Sequence, residues 1–197
     1  MKLIVGITGA TGTIFGIRLL EALQSAGVEA HLVVSKWGAR TLTHETAYTL
    51  DYVKGLATCT YSVNDQGAAI SSGSFLTDGM IIAPCSVRSL SAIAHGQADN
   101  LIHRAADVVL KERRKLVLMV REAPFNDIHL ENMLKLSRMG VVITTPAPAF
   151  YNQPRTLDDM INHIVMRLLD QFGIQSNFIE RWTGVMTTRG AAPLLKP

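Results

Sequence analysis

Lys2-Leu3-Ile4-Val5-Gly6-Ile7-Thr8-Gly9-Ala10-Thr11-Gly12 opens into Thr13-Ile14-Phe15-Gly16, and the change of character along this stretch decides the fold. The first part is a short apolar, β-branched run that meets glycine, the mark of a strand buried on both faces of a parallel sheet. The second part begins a helical pattern from about Thr13 to Ala26, with Phe15, Leu19, Leu20 and Leu23 on one face and Gly27 as its stop. Between them lies a turn of small residues whose backbone N–H groups can cradle an anion. The turn is neither the dinucleotide pattern G-x-G-x-x-G nor a Walker loop, which needs Lys-Ser/Thr after its last glycine. Its ordinary reading is a tight βα turn without a ligand.

Working outward, four more runs have the same buried-strand character: Glu29 to Ser35, Gly79 to Pro84, Lys115 to Arg121 and Val141 to Thr145. Helical patterns separate most of them, from about Leu101 to Arg114 and from about Asp127 to Arg138, and a shorter one starts near Arg88. The clearest helix carries Leu157, Met160, Ile161, Ile164, Val165, Leu168, Leu169 and Phe172 at helical spacing, with Thr156 as N-cap and Gly173 as stop. Strands alternating with helices predict a doubly wound parallel α/β sheet with helices on both faces. Residues 36–78 are less regular, and predict a helix near Ala39 to Leu50, one or two short elements, and a turn or loop at Ser71-Ser72-Gly73-Ser74. The length suits one domain over residues 1–197, of which about 174–197 form a weakly patterned carboxyl-terminal extension.

Of the 197 residues, 48% are hydrophobic and 18% charged, against roughly 25% charged in an average soluble domain. So little charge predicts that part of the apolar surface is covered by other copies of the chain. A net charge of +3 without a basic, aromatic-interleaved stripe argues against nucleic acid and suits small anionic ligands. Cys59 and Cys85 form no disulfide framework, and no Cys/His spacing suggests zinc, so a reducing cytoplasm and no metal are expected. The amino terminus lacks the pattern of a signal peptide. No run approaches the ~18 apolar residues of a membrane span.

Ligands of such sheets bind beyond the carboxyl ends of the strands, so the residues after each strand matter most. They are the glycine turn; Ser35 and Lys36; Cys85, Ser86, Val87, Arg88 and Ser89; Arg121 and Glu122; and Pro146 to Tyr151. Four of these five ends offer hydroxyl, amide or cationic groups suited to phosphate. Each also has an ordinary reading. Ser86 can simply cap a helix, and Arg121-Glu122 can be a surface ion pair. Arg104, Asp107 and Lys111 share a helix face of the kind that is usually solvated. Cys85 reads as a small buried thiol, and His44 and Glu45 as residues on a solvated helix face.

The blocks Pro84-Cys85-Ser86, Asp99-Asn100-Leu101-Ile102, Arg104-Ala105-Ala106-Asp107-Val108 and Leu110-Lys111-Glu112-Arg113-Arg114 resemble the UbiX-like flavin prenyltransferases. So do Arg121-Glu122-Ala123-Pro124, His129-Leu130-Glu131-Asn132-Met133 and Pro148-Ala149-Phe150-Tyr151, and the likeness runs from the glycine turn to about Trp182. It is greatest to the members that accompany aromatic-acid decarboxylases.

The resemblance implies a Rossmann-like (flavodoxin-like) three-layer α/β/α subunit in a homododecamer, with FMN and dimethylallyl phosphate held at subunit interfaces. It implies that a metal-free transfer of the prenyl group to N5 and C6 of reduced FMN supplies prenylated FMN to a UbiD-type decarboxylase. By matching motif, FMN meets Gly9, Ala10, Thr11, Ser35, Ser86, Val87, Arg88, Ser89 and Arg121. The allylic phosphate meets Lys111, Arg121, Glu122, Tyr151 and Arg167, with Arg104 near the same interface. Lys111, Arg121 and Arg167 would stabilise departing phosphate by preorganised charge, Arg121 as a fork and Lys111 as a point charge.

Within the same resemblance, Tyr151 would donate a hydrogen bond to that phosphate. Glu122 would accept a proton or orient the neighbouring cations, and Glu45 would handle protons near the flavin with a raised pKa. Trp182 would wall the allylic group. The family turn often reads Gly-Ala-Ser-Gly, and here Thr11 stands third, keeping the hydroxyl and adding a methyl. Two enzyme rivals share the cofactor: a cysteine decarboxylase, which resembles Pro-Ala-Ser-Ala-Asn-Thr where this chain has Pro84 to Ser89, and a direct decarboxylase, or decarboxylase subunit, for hydroxyaromatic or phenylacrylic acids. A non-catalytic FMN carrier would have no use for Lys111, Arg121, Tyr151 and Arg167.

Overall fold

A computed structural model describes residues 1–176, 178–179, 181–182 and 184. Six parallel strands form the sheet: β1 (Lys2–Ile7), β2 (Glu29–Val34), β3 (Cys59–Tyr61), β4 (Gly79–Cys85), β5 (Lys115–Val120) and β6 (Val142–Thr144). Their order is β3-β2-β1-β4-β5-β6, so strands are added to one side of β1 and then, from β4 on, to the other, and the switch point lies between β1 and β4. The helices are α1 (Thr13–Ser25), α2 (Lys36–Glu45), α3 (Leu50–Gly55), α4 (Val87–Ala94), α5 (Leu101–Lys111), α6 (Asp127–Arg138) and α7 (Leu157–Asp170). All five strands read from the sequence are present, as is the doubly wound, three-layer α/β/α arrangement.

Every residue of β4 is buried, and β1 is buried from Leu3 on, because helices cover both faces. One core packs α1 and α7 on one face through Leu19, Leu20, Leu23, Val165, Leu168 and Leu169. The other packs α4 and α5 on the opposite face through Leu90, Ile93, Ile102, Ala105, Ala106 and Val109.

One reading of residues 36–78 needs correction. The helix expected from Ala39 to Leu50 is instead α2, which starts three residues earlier at Lys36, and the separate α3. Ser35 explains the early start: its hydroxyl accepts from the Gly38 amide at 2.9 Å, a normal N-cap. Thr49 caps α3 in the same way, through the Tyr52 amide at 3.1 Å. Among the short elements expected here is β3, a three-residue edge strand too short for its type to show as a period. Among the described residues no helix is long and apolar enough to cross a membrane.

Candidate functional site

The switch point between β1 and β4 opens into a cleft of about 410 Å³ at the carboxyl ends of the strands. It is lined by Thr8, Gly9, Ser35, Lys36, Trp37, Val63, Asn64, Ser86, Arg88, Ser89, Asn100 and His103. Two of these are cations and none is a carboxylate. Three N-caps stand on its wall: Ser35 on α2, Ser86 on α4 (accepting from the Ser89 amide at 3.2 Å) and Asn100 on α5 (accepting from the His103 amide at 3.1 Å). The partly positive starts of three helices therefore converge on one space.

The turns are stitched together by buried bonds. The Thr8 hydroxyl donates to the Pro84 carbonyl at 2.7 Å and accepts from the Ser86 amide at 2.8 Å. Gly9 is a glycine for steric reasons, since a Cβ there would lie 2.5 Å from Trp37 Cβ. That close approach locks the glycine turn against the first turn of α2.

Glu45 departs from the solvated-face reading. Its carboxylate accepts from the Gly12 amide at 2.9 Å, the Thr13 amide at 3.2 Å and the Thr13 hydroxyl at 3.2 Å. It thus caps α1 from another element, and the anion cradle of the glycine turn is filled by the protein's own carboxylate. Burial works to raise the Glu45 pKa, but the bonds from Thr11, Gly12 and Thr13 outweigh it and hold the carboxyl below its ordinary value. This is opposite to the raised value that the family role would suit.

Cys85 is fully buried, and burial pushes its thiol up to about 12, which makes it inert as a nucleophile at neutral pH. Arg121 and Glu122 follow β5, and the Arg121 amide donates to the Cys85 carbonyl at 3.0 Å, so the pair stands beside the serine turn. Glu122 accepts from the Ala123 amide at 3.0 Å, and no Arg121–Glu122 ion pair forms among the described residues.

The remaining cations lie elsewhere. Arg104 donates from Nε to the Ser71 carbonyl at 3.2 Å and pairs with Asp107 at 2.8 Å, fastening the loop of residues 71–74. Lys111 pairs with Glu112 at the far end of α5, about 16 Å along the helix from the cleft at 1.5 Å per residue. Arg167 pairs with Asp170 at 3.0 Å near the end of α7, where Lys115, the first residue of β5, donates to the Gln171 carbonyl. Both positions belong to the amino-end rim of the sheet. The Tyr151 hydroxyl meets His163 Nε2 at 2.9 Å midway along α7, and the ring packs edge-on against exposed Trp182 at 5.7 Å between centroids. A single chain thus gathers Gly9, Ser35, Ser86, Arg88 and Ser89 at one rim and holds Lys111 and Arg167 at the other.

Trp37, Val63, Asn64 and His103 line the cleft without having been singled out from the sequence. Trp37 follows the Ser35 cap directly, and His103 stands three residues after the Asn100 cap, so cap spacing carried the only local signal for either.

The Flavoprotein family model matches residues 1–169. A probable UbiX-like flavin prenyltransferase of Bacillus subtilis (strain 168) is 62% identical over 192 residues, covering 98% of this chain and 94% of the relative. The chain belongs to the UbiX-like flavin prenyltransferase family. Among solved members, a dodecameric FMN-dependent UbiX-like decarboxylase from Escherichia coli O157:H7 matches with a TM-score of 0.92 at 57% identity, covering 93% of this chain and 100% of that one. AnUbiX (PadA1), solved in complex with FMN and dimethylallyl pyrophosphate, matches with a TM-score of 0.92 at 48% identity, covering 93% and 98%. An FMN-dependent cysteine decarboxylase of thioviridamide biosynthesis, at 16% identity and a TM-score of 0.60, shares the fold with the UbiX-like family.

Proposed function

We propose that this chain is a flavin prenyltransferase that joins the dimethylallyl group of dimethylallyl phosphate to N5 and C6 of reduced FMN. The observation that carries this reading is the cleft wall of three capped helix starts, two cations and no carboxylate. That donor set fits a phosphate monoester. Ser35, Ser86, Val87, Arg88, Ser89 and Arg121 would hold the flavin nucleotide, with Gly9, Ala10 and Thr11 along it.

The bound reduced flavin supplies the nucleophile. The protein's part is to hold the allylic phosphate in line and to stabilise the negative charge that gathers on the phosphate oxygen as it leaves with the bonding pair. Arg121 stands at the flavin rim. Lys111, Tyr151 and Arg167 complete the phosphate site from neighbouring copies, which accounts for their separation within one chain and for the dodecamer we infer. Glu122 orients these cations or accepts the proton released on ring closure. Glu45, held as a carboxylate, keeps the glycine turn in shape beside the flavin. A UbiD-type decarboxylase would consume the product, and two unpaired cysteines suit a reducing cytoplasm.

The test is anaerobic incubation of the protein with reduced FMN and dimethylallyl phosphate, followed by mass spectrometry of the released flavin. The expected product is heavier than FMN by one prenyl unit, with phosphate liberated. If that mass never appears while an aromatic acid loses carbon dioxide with this chain alone, the reaction is decarboxylation and the proposal fails.

A further inference from the structure

His103 is buried, 6% exposed, and the proposed reaction gives it no task. Its ring closes a hydrogen-bonded chain that reaches the cleft. The Ser89 side chain is equally buried and is the central link. Ser89 Oγ accepts from the Ser86 hydroxyl at 3.2 Å and lies 3.1 Å from His103 Nε2, while the Ser89 amide is taken by Ser86 Oγ.

On the other side of the ring, Asn100 Oδ1 accepts from the His103 amide, which turns the Asn100 amide nitrogen toward the imidazole. That nitrogen is 3.1 Å from Nδ1 and 3.4 Å from Nε2. It can only donate, so the nearer Nδ1 is the acceptor and the proton of a neutral ring sits on Nε2. Charge on the ring is opposed by burial and by Arg88, with Asp99 acting the other way. The start of α5, where His103 is the third residue, opposes it too.

We propose that His103 is a positioning residue that aims the Ser89 hydroxyl proton at the phosphate of a bound flavin nucleotide, which rests on reading the cleft as the FMN site. A hydroxyl oxygen has two lone pairs and one proton. With Ser86 and the His103 Nε2–H occupying both lone pairs, Ser89 has no acceptor capacity left, and its proton faces the cleft as a donor. The opposite tautomer would draw that proton onto Nε2 and leave the cleft wall with one hydroxyl donor fewer.

The test compares FMN with riboflavin, which lacks the phosphate, by flavin fluorescence titration on wild type, His103→Leu, His103→Gln, Ser89→Ala and the His103→Leu/Ser89→Ala pair. Loss of a donor to a charged group predicts that His103→Leu weakens FMN on the order of tenfold or more. Riboflavin should bind unchanged, His103→Gln should restore FMN because its amide keeps an N–H, and His103→Leu should add nothing in the Ser89→Ala background. Equal losses for FMN and riboflavin, or an undiminished His103→Leu effect without Ser89, would overturn the proposal. Wild type binding both flavins equally would instead remove the cleft reading beneath it. Should His103→Leu not fold, ¹⁵N spectra of ring-labelled histidine in wild type decide, with His103→Gln giving the assignment. Protonated Nε2 with bare Nδ1 supports the proposal, and the reverse overturns it.

Discussion

Replacing Glu45 with alanine should destabilise the fold at neutral pH and leave it nearly unaffected in acid. Helix α1 has no side-chain cap of its own at Gly12, and its first N–H groups rely on the Glu45 carboxylate at 2.9 and 3.2 Å. Losing a cap costs about 1 kcal/mol, and losing the anion at the helix start removes about 0.5 kcal/mol more. Glu45 is exposed on the outer side, so solvent screening brings the net to about 1 kcal/mol. For a chain of this size that is a fall of roughly 2–4 °C in the melting midpoint.

The pH dependence follows from the direction of the shift. The folded carboxyl sits below its unfolded value of about 4.3. The stabilisation is therefore complete above that value and is lost as pH falls through the folded one. Thermal unfolding of wild type, Glu45→Ala and Glu45→Gln at neutral pH and near pH 3 measures it. Glu45→Gln keeps an acceptor oxygen without the charge and should fall between the other two at neutral pH. A Glu45→Ala deficit of equal size at both pH values, or none at neutral pH, would refute the capping argument.

Gly16→Ala should destabilise by about 1–3 kcal/mol, because the new Cβ would stand 2.5 Å from the Ala83 carbonyl oxygen and 2.8 Å from Ile7; a melting midpoint equal to wild type would show that β4 yields freely. Subunit mixing tests the division of the site. Arg121→Ala and Arg167→Ala should each be inactive alone, yet co-expressed in equal amounts they should regain about a quarter of wild-type turnover if every site draws the two arginines from different copies. No recovery would place both in one chain's site.

Most of the sheet was legible because buried parallel strands write themselves as unbroken apolar runs, as in Gly79 to Pro84. Edge strand β3 was not, since Cys59-Thr60-Tyr61 is too short to show either period. The join of α2 to α3 was misread because Thr46 and Thr49 suit a helix interior poorly but were outweighed by good formers on both sides. In the site, the serine turns announced themselves through N-cap chemistry. Glu45 did not, because its partner Gly12 is 33 residues away and no local spacing encodes a cap supplied by another element. His103 sits among Leu101, Ile102, Ala105 and Ala106, where an imidazole looks like one more packed side chain.

The two borders of the sheet, β3 and β6, are only three residues long each. Each leaves few unpaired backbone groups for a foreign strand to latch onto. Growth by lateral strand addition is thereby blocked at both sides among the described residues. Copies of the chain must meet instead through side chains, and Ile128, Leu130 and Leu134 stand exposed on α6 as ready apolar contacts. Such contacts are fixed by shape and can close on themselves by rotation, whereas ladders of backbone bonds extend without limit.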